Sequence, residues 1–118
     1  MGETYRVAVA TQTGDSVDVH YGRASKFQIY EIEELESIDL IEVRELIPVC
    51  ADGEHDPVRL EENAKKLNDC RCVIASRIGP GALNSLAAEG IEGYELPGDI
   101  EEAIDRMVRY RQVQRLFK

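Results

Sequence analysis

The chain has 118 residues and carries 14 Lys and Arg against 23 Asp and Glu, a formal net charge of −9. A field of that sign opposes unassisted binding to phosphate backbones or anionic membrane surfaces, and no apolar run approaches the ~20 residues of a membrane span. Residues 1–6 lack the apolar stretch of a secretory signal, so the expectation is one cytoplasmic domain over 1–118, able to bury roughly two thirds of its unfolded surface.

Residues 5–10 read as a first strand, with Val7 and Val9 on one face. A polar, Gly-containing loop follows and delivers His20 beside Tyr21 and Gly22. A rigid strand fixes the loop after it, and functional groups gather on such loops. Residues 26–33 alternate, Phe27 and Ile29 against Gln28, Tyr30 and Ile32. Both faces carry apolar groups, which suits a strand covered on two sides. A Glu-rich turn then leads into a third strand over 38–47, as in a hairpin.

Beyond Pro48 the texture changes. A polar loop ends at Asp56-Pro57, a cap followed by proline at the first helical position, and Leu60, Ala64 and Leu67 give a helical stripe ending near Asn68. Residues 72–76 form a short apolar strand of the buried parallel kind. Gly79-Pro80 opens a second helix with Leu83, Leu86 and Ala87 on one face, closed by Gly90. Residues 91–96 are a fifth strand, and Asp99 with Glu102 begins a last helix in the manner of a capping box. Its apolar positions are Ile100, Ala103, Ile104, Met107 and Val108. The order β-β-β-α-β-α-β-α predicts an α/β domain, a mixed five-stranded sheet with helices on its faces.

Few residues carry chemistry. His20 lies in a polar loop, where imidazole titrates near neutrality and is the commonest neutral metal ligand; the plainer alternative is a hydrogen bond to nearby backbone. Cys50 follows Pro48-Val49 in a Gly-containing loop, whereas Cys72 sits inside an apolar run and reads as core. Cys70 ends the first helix or begins the fourth strand; if it and Cys72 were both extended they would share a face. Three cysteines in a chain of cytoplasmic type argue against a disulfide framework. Arg77-Ile78-Gly79-Pro80-Gly81 leaves the fourth strand at its C-terminal end, where open α/β sheets bind ligands. Free N–H groups at the helix start, with Arg77 beside them, favour an anion; a tight strand-to-helix turn is the alternative. The glycine spacing fits neither a Walker loop nor a dinucleotide fingerprint. Arg106, Arg109, Arg111, Arg115 and Lys118 read as favourable charge at a helix C-terminus on a solvated face. Asp15, Asp18, Asp52 and Asp56 come nearest to a carboxylate cluster, and no nucleophile–base pair stands out.

The stretch Val7-Ala8-Val9-Ala10 through His20-Tyr21-Gly22-Arg23-Ala24, then Phe27-Gln28-Ile29-Tyr30-Glu31, resembles the nitrogenase iron–molybdenum cofactor biosynthesis family. The likeness continues through Pro48-Val49-Cys50, Leu67-Asn68-Asp69-Cys70, Arg77-Ile78-Gly79 and Ala88-Glu89-Gly90-Ile91 to the helix over 100–104. Within that family it is similar to the accessory carriers and to the C-terminal domain of the cofactor-core maturase. Tyr21 stands where phenylalanine is usual, Pro80-Gly81 departs from the usual Gly-x-Pro order, and Cys72 replaces a small apolar residue and takes no role.

The resemblance implies an RNase H-like three-layer α/β/α sandwich. It also implies a non-catalytic carrier or scaffold for an iron–sulfur or iron–molybdenum cofactor precursor cluster, with metallocluster donors and acceptors as partners. His20, Cys50, Cys70, Arg77 and Gly79 occupy the binding positions, His20 and Cys50 as metal ligands. One imidazole and one or two thiolates on mobile loops offer few, exchangeable bonds to iron, as a carrier requires, with the ligand set completed by a partner or second subunit. The reading demands that His20 and Cys50 open onto a common mouth. Its rivals are a cluster-free regulatory or interaction module on the same fold and, least favoured, a nuclease, whose metals need carboxylates that the first strand lacks.

Overall fold

The computed structural model describes residues 3–34, 36–51 and 54–117, with the backbone course alone at 50, 51, 54 and 55. Along the chain run β1 (Thr4–Ala10), β2 (Ser16–Val17), a 3-10 turn (Tyr21–Arg23), β3 (Lys26–Glu33), β4 (Ser37–Glu45), β5 (Cys50–Ala51) and β6 (Glu54–His55). Then follow α1 (Pro57–Lys66), β7 (Cys72–Ala75), α2 (Pro80–Ala88), β8 (Glu92–Glu95), β9 (Gly98–Asp99) and α3 (Ile100–Leu116). Five strands make one mixed sheet in the order β4-β3-β1-β7-β8. β3 runs antiparallel to both its neighbours, while β1, β7 and β8 are parallel.

The period-two pattern decides how the sheet is covered. Val7 and Val9 of β1, Ile32 of β3, and Cys72 and Ile74 of β7 bury one face against Ile100, Ala103, Ile104 and Met107 of α3. Ala8, Ala10, Phe27, Ile29, Val73 and Ala75 bury the other against Ala64 and Leu67 of the α1 region and Ala82 and Leu86 of α2. Both faces of β3 are apolar for this reason, as its alternation foretold. α1 starts where the cap implies: the Asp56 carboxylate accepts the N–H groups of Val58 and Arg59, and Pro57 takes the first helical position. Asp99 accepts the N–H of Glu102 at the start of α3.

Three details differ from the sequence expectation. β4 ends at Glu45, short of residue 47, and the N–H of Leu46 makes the last bond of its pairing with β3, to the Ser25 carbonyl. Two ribbons of two-residue strands, β2 with β9 and β5 with β6, are too short for any periodicity to announce. The basic end of α3 is also less solvated than expected. Arg111 is buried, bonds Glu3 and Glu92, and lies over the Tyr5 ring at 4.5 Å, while Arg115 bonds the buried Glu34. Among the described residues, no helix is long and apolar enough to cross a membrane.

Candidate functional site

The His20 loop is not free. The Asp18 carboxylate accepts N–H groups from Gln12 and Thr13; burial opposes its charge, but these hydrogen bonds hold its pKa below the usual carboxylate value. The N–H of Gly14, in the left-handed region at φ 87°, donates to Thr11 Oγ1. β2 pairs with β9, and Ile100 donates to the Asp15 carbonyl. Past Val17 the chain extends the sheet: Ser76 donates to the Val19 carbonyl at 3.1 Å and Tyr21 to the Arg77 carbonyl at 2.9 Å, a parallel bridge joining His20 to Arg77. The mobile loop expected from sequence is a laced one.

This lacing places the exposed His20 at the C-terminal edge of the parallel strands, where α/β sheets take ligands. A groove of about 400 Å3 opens there, between the 3-10 turn and the start of α2. His20, Arg23, Arg77 and Gly79 stand on its walls, with Val49 and Leu60 giving an apolar side. α2 begins cleanly at Pro80 despite its unusual glycine order. Gly79 is its N-cap and offers no side chain, and proline has no N–H, so Gly81 and Ala82, which line the groove, keep N–H groups without a side-chain cap. The turn is braced from behind, where Ile78 donates its N–H to Glu95 at 2.7 Å. None of the described residues lining the groove is a carboxylate, which sets it apart from a chain of net charge −9. Such a site favours a ligand carrying negative charge and an apolar flank.

Of the five residues singled out from sequence, His20, Arg77 and Gly79 meet at this groove. The Cys50 side chain lies outside the described residues. Its backbone is placed: Val49 lines the groove, and β5 lies alongside the 3-10 turn. Cys70 lies elsewhere. Its N–H still bonds the Leu67 carbonyl in the turn that closes α1, so extended periodicity does not reach it. It packs into the core under α1 and α2, while Cys72 points into the opposite core under α3. The shared face considered for this pair is therefore not formed. Burial pushes both thiols up to about 12, and neither forms a disulfide.

Among the acidic residues considered, Asp18 holds its own loop and Asp56 caps α1; Asp52 lies outside the described residues. No group of three or more His, Cys, Asp or Glu side chains gathers to hold a metal among the described residues. Sequence reasoning missed Arg23, whose only signal was its place directly after Gly22 in the loop that carries His20. It also missed the register that sets His55 across from Cys50 in the β5–β6 ribbon.

The family described as dinitrogenase iron-molybdenum cofactor has a model that matches residues 3–110. The FeMo cofactor biosynthesis protein NifB of Chlorobaculum tepidum is 33% identical over 113 residues, covering 95% of this chain and 26% of that protein. NifB of Frankia alni is 33% identical over 105 residues, covering 86% and 20%. The chain thus spans about a quarter or less of the length of these relatives. Among solved structures, the crystal structure of PH0822 superposes with a TM-score of 0.62 at 25% identity, covering 87% of this chain and 89% of the other. The NMR structure of TM1290 from Thermotoga, a protein of the DUF35 family, gives 0.57 at 28% identity, covering 89% and 88%.

Proposed function

We propose that this chain, which belongs to the dinitrogenase iron-molybdenum cofactor family, is a non-catalytic carrier or scaffold. Its cargo would be an iron–sulfur precursor of that cofactor or a related metallocluster. One observation carries the reading: the backbone bridge between His20 and Arg77 sets an exposed imidazole on the rim of a groove whose walls are cationic and apolar. An imidazole gives iron a single exchangeable bond, and Arg23, Arg77 and the uncapped start of α2 offset the negative charge of a sulfide-rich cluster. In this reading Cys50 supplies a thiolate from β5, Gly79 lets the cargo approach the backbone, and Cys70 is a core residue. Few protein ligands mean a cluster that can leave, with further ligands coming from the protein that donates or accepts it.

The same proposal takes 1–118 as one cytoplasmic domain of RNase H-like type that binds neither nucleic acid nor membrane. The strand order, with β3 alone reversed between β4 and β1, and helices on both faces support the fold assignment. The net charge of −9 supports the choice of partners.

Anaerobic titration with a cluster donor tests the function. Charge-transfer absorption that stays with the protein through gel filtration, and is lost in the His20→Ala/Cys50→Ala double variant, is the expected result. Failure of the wild-type chain to take up any cluster would overturn it in favour of a cluster-free interaction module.

A further inference from the structure

The two edges of the main sheet are built differently. β8 is four residues long and carries Glu92 and Glu95, with Arg111 bonded to Glu92. A short, charged edge of this kind resists pairing with another chain. β4, at the other edge, is nine residues long, and Ile38, Leu40, Ile41 and Val43 are 46%, 51%, 44% and 56% exposed. β4 keeps two of the usual edge protections, a bulge and the charges Asp39, Glu42, Arg44 and Glu45, but it is more than twice as long as β8 and leaves four apolar side chains in water.

We propose that β4 is the pairing edge of a two-fold dimer, in which two copies of this chain join their sheets antiparallel along this strand. The register follows from a bulge. Ile29 of β3 pairs with Glu42 but Tyr30 pairs with Leu40, so Ile41 is the extra residue. Opposed residues share a face. Leu40 and Val43, opposite Tyr30 and Gln28, therefore lie on the α3 side, and Asp39 and Arg44, opposite Glu31 and Phe27, on the other. The shift in parity at Ile41 makes the strand complementary to itself. Turned about the Ile41–Glu42 peptide, it sets Leu40 against Val43 of the second copy on one face, twice; on the other, Asp39 lies opposite Arg44, whose N–H groups Glu42, Asp69 and the Lys66 carbonyl already take, so the apolar pairs carry the contact. The neighbouring register that also matches faces would set Asp39 against Glu42, two like charges, and is disfavoured.

Ile38, Leu40, Ile41 and Val43, each about half exposed, are the apolar surface this strand can bury on pairing. A long-lived dimer buries about 800 Å2 per partner, so pairing through this strand is weak and concentration-dependent. The inference rests on β4 alone and is independent of the groove.

Sedimentation equilibrium from micromolar to millimolar concentration tests it. The wild-type chain is expected to shift from monomer toward dimer, while Leu40→Lys and Val43→Glu each remain monomeric at least tenfold further up the range. Thermal melting checks that these exposed substitutions leave the fold intact. Mixing the two variants restores the dimer, because the introduced lysine then faces the introduced glutamate in one arm and Val43 faces Leu40 in the other. A wild-type chain that stays monomeric throughout, a dimer unmoved by both substitutions, or a mixture that stays monomeric would overturn the proposal.

Discussion

The N–H of Tyr21 donates to the carbonyl oxygen of Arg77 at 2.9 Å, and through that bond two segments 56 positions apart in sequence share one rim. Because backbone makes the bridge, the position of His20 does not depend on its own side chain, which caps nothing in the turn that follows. His20→Ala is therefore expected to leave stability within about 0.5 kcal/mol of the wild type, as exposed substitutions do, while cluster retention falls. A melting temperature that drops by many degrees would make His20 a structural residue.

Gly79 separates two reasons for a glycine. Its φ of −68° and ψ of 161° suit any residue, and a Cβ built there meets nothing within 4 Å. The fold does not require glycine here. Gly79→Ala should melt with the wild type yet retain less cluster, since the added methyl stands where cargo would approach the backbone. Equal retention by the two proteins would remove Gly79 from the site.

Much of this was legible in the chain because the signals were local. Asp56-Pro57 and Asp99 with Glu102 marked helix starts, and the two-sided apolar alternation of 26–33 marked an inner strand. His20, Arg77 and Gly79 could be singled out because each follows a strand that fixes its loop. What stayed hidden was non-local. Arg111 looks like a solvated helix residue until β8 brings Glu92 to it and the N-terminal segment brings Glu3. Cys70 could end the helix or begin the strand, and the Leu67 carbonyl, three residues back, shows that the helix is still unwinding there.

The core thiols offer a direct check. Burial raises Cys70 and Cys72 to about 12, so at about pH 8 neither is ionised, and neither is exposed to a reagent. In a Cys50→Ser variant, both remaining thiols should react with a disulfide reagent only at the rate of opening, and at once in denaturant. Rapid labelling of Cys70 in the native protein would return it to the candidate ligands. Cys70→Ala should cost about 1–2 kcal/mol through lost packing and leave cluster retention unchanged.

Asp69 ties the end of α1 to the sheet. It accepts from Arg44 at 2.8 Å and from Arg6 at 3.0 Å, and the Arg44 hydrogen bonds lower its pKa from 3.8 to about 2. A carboxylate depressed in the folded state adds stability that is present above its unfolded pKa and lost as pH falls through the folded one. The window is thus from about 3.8 down to about 2. With its side chain 36% exposed, solvent screening brings the contribution to the order of 1 kcal/mol. Asp69→Asn should melt below the wild type at neutral pH, with the difference closing across that window. A gap that persists below pH 2 would mean that shape, not charge, is what asparagine disturbs.

Tyr21 carries a hydroxyl that no described residue bonds. Its ring sits in the core, edge-on to Phe27 at 5.9 Å, while the hydroxyl is buried with no hydrogen-bond partner among the described residues and burial raises its pKa to about 12. A buried hydroxyl without a partner costs about 1–3 kcal/mol relative to its solvated state. Tyr21→Phe keeps the edge contact and the backbone bond to Arg77 while removing that cost. The variant should be more stable by about 1 kcal/mol, seen as a rise of a few degrees in melting temperature, with the groove and its cluster retention unaltered. A fall instead would mean that the hydroxyl has found a partner, such as a trapped water, and that its loss is felt on the rim where His20 stands.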